Sequence, residues 1–173
     1  MNTLVIARHN EYKSWYDEVP PGWRLRVVQK GSHLPNEGRE PSSFLYAMSV
    51  IRQRTGTVAF VQGDPLDHCP DLFGILQQPV EGFRWLGDVN HHTDSAGAPY
   101  HYGLPMAELH ERWLGRPWPG GMVRFAAGGQ FLMPASRLAR YSRNVYKDLQ
   151  RQACEVEEAP WVFERLWERM FGD

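Results

Sequence analysis

Asp64, Asp67 and His68 crowd into Gly63-Asp-Pro-Leu-Asp-His68, directly after the apolar run Val58-Ala-Phe-Val61. Hard cations take oxygen ligands, so carboxylates on a short rigid turn can hold Mg²⁺ or Mn²⁺ against a diphosphate. The same D-x-x-D spacing also suits a plain turn in which Asp64 accepts from backbone N–H groups. A second group is His91, His92 and His101, with Asp88 and Asp94 nearby. Imidazoles and carboxylates together can bind Zn²⁺, or serve as hydrogen-bond donors and general acid–bases along a phosphate or sugar. No H-E-x-x-H spacing is present, and surface histidines remain the plain alternative.

Guanidinium and amide groups at a strand end grip bases, riboses and phosphates through directed hydrogen bonds, which makes Arg8, Asn10 and Glu11 in Arg8-His-Asn-Glu11 candidates for substrate binding. Arg39, beside Glu40 and just ahead of Pro41, is another, with a helix start behind it whose N–H groups favour anions. Gln62 and Gln130, which end and open apolar strand segments, complete the substrate-binding set. Glu164 lies in Phe163-Glu-Arg-Leu-Trp167; it can take a proton from a hydroxyl only if its helix crosses the open end of the sheet. Gly-x-Gly-x-x-Gly, Walker and Gly-x-Ser-x-Gly signatures are missing, which argues against dinucleotide, P-loop and serine-hydrolase chemistry.

The elements that must position these groups follow from periodicity. Apolar runs predict strands at 3–8 and 58–62, and alternation predicts one at 23–29 and another at 122–127 that resumes at 130–133 after Gly128-Gly129. Helical spacing predicts a crossover helix over 41–54, short helical pieces at 14–18 and 71–78, and a helix from Pro105 to Gly115. It further predicts a helix capped by Ser136 and carrying Leu138, Tyr141, Val145 and Leu149, and a last one opened by Pro160. Residues 81–101 show no regular pattern. The order predicts one α/β domain over 1–173, a mixed or mostly parallel sheet flanked by helices.

With 173 residues, 42% of them hydrophobic and 23% charged, and a formal net charge of −1, the composition argues against nucleic-acid binding. No run reaches the length of a membrane span, and the first residues lack the pattern of a signal peptide. Cys69 and Cys154 are far apart, which predicts free thiols and a cytoplasmic location.

Five blocks, Val5-Ile-Ala-Arg-His-Asn-Glu11, Leu34-Pro-Asn-Glu-Gly-Arg-Glu40, Phe60-Val-Gln-Gly-Asp-Pro-Leu-Asp-His68, Gly128-Gly-Gln-Phe131 and Phe163-Glu-Arg-Leu-Trp167, resemble the uncharacterised domain-of-unknown-function family numbered 3431. That family looks like a compact relative of the GT-A glycosyltransferases. The resemblance implies a Rossmann-like sheet and transfer of a sugar from a nucleotide-activated donor to a small-molecule or glycan hydroxyl, by a monomer or homodimer. It places Arg8, Asn10 and Glu11 at the nucleotide, Asp64, Asp67 and His68 at the diphosphate through Mn²⁺ or Mg²⁺, and Glu164 as catalytic carboxylate. His91, His92 and His101 are the other candidates for the proton transfer. Two alternatives use the same residues: a metal-dependent hydrolase of a phosphoester or sugar, and a non-catalytic carbohydrate-binding or scaffold domain. All three require Arg8, Asp64 and His92 to border one shared cavity.

Overall fold

Period-two alternation decides which side of the sheet each strand residue serves. In the computed structural model, which describes residues 1–172, β1 (Asn2–Arg8) lies between β2 (Trp23–Gln29) and β3 (Thr57–Gln62), parallel to both. β7 (Phe131–Pro134) runs antiparallel to β3, and β4 (Arg84–Trp85) antiparallel to β7, giving the order β2-β1-β3-β7-β4. Val5, Ala7, Val58, Phe60, Phe131 and Met133 turn to one face. Leu4, Ile6, Ala59, Val61 and Leu132 turn to the other.

The first face is covered by α1 (Arg39–Val50), α3 (Met106–Leu114), α4 (Arg143–Glu155) and α5 (Ala159–Phe171). Trp113 stacks on Phe163 at 3.9 Å between centroids, and Trp167 meets both Phe44 and Phe131. Each such ring pair adds about 0.5–1.5 kcal/mol beyond the area it buries, so α5 is pinned to the sheet by rings. The second face carries less: α2 (Leu72–Leu76) and a 3₁₀ turn, Ser14–Glu18, whose Trp15 donates its indole N–H to the Gly63 carbonyl at 3.0 Å. The mixed α/β sheet flanked by helices is therefore present as the sequence predicts.

Several boundaries differ. Residues 81–101, patternless in sequence, contain β4 and also β5 (His91–Thr93). Strands of two and three residues are too short to show a period. β5 pairs with β6 (Val123–Phe125) in a separate two-stranded ribbon, so the segment around residue 123 does not extend the main sheet. No single helix starts at Ser136: residues 135–140 form a 3₁₀ turn, and α4 begins after Ser142, whose hydroxyl accepts from the Val145 N–H at 3.3 Å. Val145 is then exposed, and Tyr146, Leu149 and Ala153 form the buried stripe. α1 starts two residues ahead of Pro41 and stops at Val50, where Ile51 turns extended. No helix among the described residues is long and apolar enough to cross a membrane.

Candidate functional site

Glu164 is brought to the strand ends by the apolar faces of its own helix. Val162, Phe163, Leu166 and Trp167 are all buried, so the remaining side of α5 is pressed against the turn Ala127–Gly129 that precedes β7. There the Gly128 N–H donates to Glu164 Oε1 at 2.6 Å, and Arg165 Nη1 donates to Oε2 at 3.1 Å. Burial pushes the Glu164 carboxyl above the ordinary glutamate value, while Arg165 and the Gly128 N–H pull it back down. Arg165 is itself buried, and burial lowers it; its guanidinium lies over the Phe125 ring at 4.5 Å.

The double glycine is required by this approach. Gly128 has φ 80°, and a Cβ there would lie 2.7 Å from His68 Cδ2 and 2.8 Å from Gln62 Nε2. Gly129 has φ 59°, with a would-be Cβ 3.1 Å from Glu164 Cγ. The left-handed backbone favours glycine at both positions, and a Cβ at Gly128 would also force His68 or Gln62 to shift.

The carboxylate opens into a cavity of about 260 Å³. Phe44 and Trp167 are its apolar base, Trp161 a wall, and Gln62 and His68 lie on the β3 side. Arg39 and Glu40 close it at the start of α1 and also line a second cavity of about 180 Å³, with Arg8, His9, Glu11 and Lys30. Arg39 takes φ 45°, uncommon for a residue with a Cβ. Its guanidinium is 5.6 Å from the Trp161 ring centre and 3.6 Å from the Glu40 carboxylate.

The predicted residues fall into four sets. Arg39, Gln62, His68 and Glu164 share the larger cavity, and Arg8 and Glu11 line the smaller. Arg8 is partly engaged, donating to Gln29 Oε1 at 2.6 Å and to the Glu11 carbonyl at 3.0 Å. Gln130 is fully buried as a brace: its carbonyl accepts from the Gln62 N–H at 2.9 Å and its amide donates to the Pro65 carbonyl at 3.1 Å. It holds the turn after β3 to the start of β7.

The rest are elsewhere. Asn10, Asp64, Asp67 and His92 are exposed and line neither cavity. His91 packs between Tyr100 and Phe125 on the ribbon, and only His101 comes near, edge-on to Trp161 at 5.2 Å between centroids. The common cavity expected of Arg8, Asp64 and His92 is thus not formed. Among the described residues no three His, Cys, Asp or Glu side chains converge as a metal group. Asp64 and Asp67 do not fit a cation cage built by protein alone.

Sequence reasoning missed Trp161 and Lys30. Trp161 had a weak signal, a ring beside the helix-opening Pro160; Lys30 had none, sitting between a strand and Gly31. No family model matches the chain, and neither a curated protein nor a solved structure matches it.

Proposed function

We propose that this chain is a glycosyltransferase-like enzyme that moves a sugar from a nucleotide-activated donor to an acceptor hydroxyl bound in the larger cavity. The observation that carries the reading is Glu164: a half-buried carboxylate, held by two donors, opening into a ring-lined cavity that adjoins a cation-lined one. A parallel β2-β1-β3 sheet with both cavities beside the ends of its strands supports a Rossmann-like site. The five sequence blocks like those of the domain-of-unknown-function family numbered 3431 support it too. A sugar ring stacks on Trp161, whose indole supplies an apolar face beside polar groups.

Glu164 takes the proton from the acceptor hydroxyl as its oxygen forms a bond to the anomeric carbon. The bond from that carbon to the diphosphate breaks, and its electron pair leaves with the phosphate oxygen. Arg39 and Arg8, on the smaller cavity, offset the charge that grows there. Asp64, Asp67 and His92, outside both cavities, take no part, so the reading now rests on two adjoining cavities in place of the single one required of Arg8, Asp64 and His92.

Glu40 favours a second reading. Two carboxylates on one cavity are the minimum for glycoside hydrolysis, one as acid and one as base or nucleophile. Thermal-shift titration with UDP and GDP, with and without Mn²⁺, followed by turnover of the donor that fits, separates the two. Stabilisation by a nucleoside diphosphate and acceptor-dependent turnover support transfer. Full turnover without an acceptor supports hydrolysis, and no response of folded protein to any nucleotide removes the transferase reading.

A further inference from the structure

Lys30 is a cation in the wrong surroundings for a structural lysine. It is 6% exposed. Its ammonium donates to the Glu37 carbonyl and to the Ser42 hydroxyl, the latter at 2.8 Å; both acceptors are neutral. Among the described residues no ion pair joins it to a carboxylate. Burial pulls the Lys30 ammonium below the ordinary lysine value, against which Cys154 of α4, Glu40 and Glu37 act without forming an ion pair, while Arg39 lowers it further. Burial holds the Cys154 thiol above its own ordinary value. A buried charge without a partner costs several kcal/mol and is ordinarily neutralised or paired.

What Lys30 does adjoin is the smaller cavity, about 180 Å³ at the ends of β1 and β2. An ammonium has three donors; two are engaged, leaving one for the cavity it lines. Arg8 and Arg39 line the same space. The two carboxylates there are already occupied: Glu11 accepts from the His9 N–H at 2.6 Å, and Glu40 pairs with Arg39. Three cations against two engaged carboxylates leave the cavity net positive.

We propose that this cavity binds a phosphate-type oxyanion and that Lys30 is its buried anchor, completed as an ion pair only when the anion enters. The volume suits a phosphate or diphosphate group, with any organic remainder reaching outward past Asn36. Taking the anion to be the donor's diphosphate rests on the transferase reading; the need for an anion rests on Lys30 alone.

Calorimetric titration of the whole chain with pyrophosphate and with inorganic phosphate, wild type against Lys30→Met, tests this. The expected result is binding of one or both by the wild type. Lys30→Met then weakens it at least tenfold while the ligand-free melting temperature stays level or rises. A purely structural lysine predicts the reverse: a lower melting temperature and unchanged binding. In wild type alone, the Lys30 side-chain nitrogen signal, observed by NMR, moves on adding pyrophosphate; a static signal, or no binding of either anion, overturns the site. Lys30-dependent binding without turnover of any nucleotide sugar keeps the site and discards the transferase. Undiminished turnover by Lys30→Met discards the site and keeps the transferase.

Discussion

Glu164 and the pair Asp64/Asp67 are all acids near the same end of β3, yet the fold treats them in opposite ways. Glu164 is packed between a glycine turn and a row of rings, given one backbone and one guanidinium donor, and raised by burial. Asp64 and Asp67 stand in water, on a turn whose Gly63 and Pro65 carbonyls are fixed by Trp15 and Gln130. Acid–base chemistry needs a group whose protonation the protein controls, and burial, a nearby charge and a hydrogen bond all act on Glu164. In this molecule the exposed aspartates decorate a well-braced turn, and the carboxylate under control comes from a helix a hundred residues later.

Replacing Glu164 should widen the contrast most. Glu164→Gln keeps the size of the side chain but only one acceptor, so either the Gly128 N–H or Arg165 loses its partner. It should lower turnover by about 10²–10⁴-fold, with some fall in melting temperature; a drop in turnover below tenfold would move the base elsewhere, with His101 first in line. The pH profile gives a second handle. A base must be deprotonated to act, so kcat/KM should fall with decreasing pH through a value above 4.5, the ordinary one for glutamate, because burial raises Glu164.

The brace should come next in size. Gln130→Leu takes the side-chain acceptor from the Gln62 N–H, at about 1–3 kcal/mol, readable as an earlier urea midpoint, while the Pro65 carbonyl keeps the Cys69 N–H at 3.0 Å. Gly128→Ala forces a Cβ against His68 in a left-handed backbone and should cost about 1–3 kcal/mol, with a further loss of turnover as Glu164 loses its N–H donor. The smallest effect is expected at the turn itself: Asp64→Asn and Asp67→Asn should change stability by less than about 0.5 kcal/mol and turnover little. A large, Mn²⁺-dependent loss of turnover there would reverse the comparison and put a cation on the turn.

Much of the scaffold was legible because burial writes itself into periodicity. β1 and β3 are apolar runs in sequence, β2 alternates, and α5 shows its ridge of Val162, Leu166 and Met170. What escaped was set by partners far away in the chain. β4 and β5 are too brief for any pattern and exist because β7 and β6 lie beside them. Val145 kept helical spacing with Leu138 and Leu149, but the intervening break at Ser142 turned it outward. For the site, Glu164 could be named only on condition that its helix reached the sheet end. Asp64 and His92 looked strongest by residue type, whereas Lys30, a loop lysine by sequence, is buried by Ser42 of α1 and Cys154 of α4.

Arg39 lines both cavities, its guanidinium over Trp161 and beside Glu40. A partition made of one guanidinium cannot serve both chambers at once. An anion that attracts it uncovers the indole on the far side, so whichever substrate carries phosphate should enter first and prepare the seat for its co-substrate. Initial-rate kinetics would then show a compulsory order of addition, and Arg39→Ala would relax it to a random one.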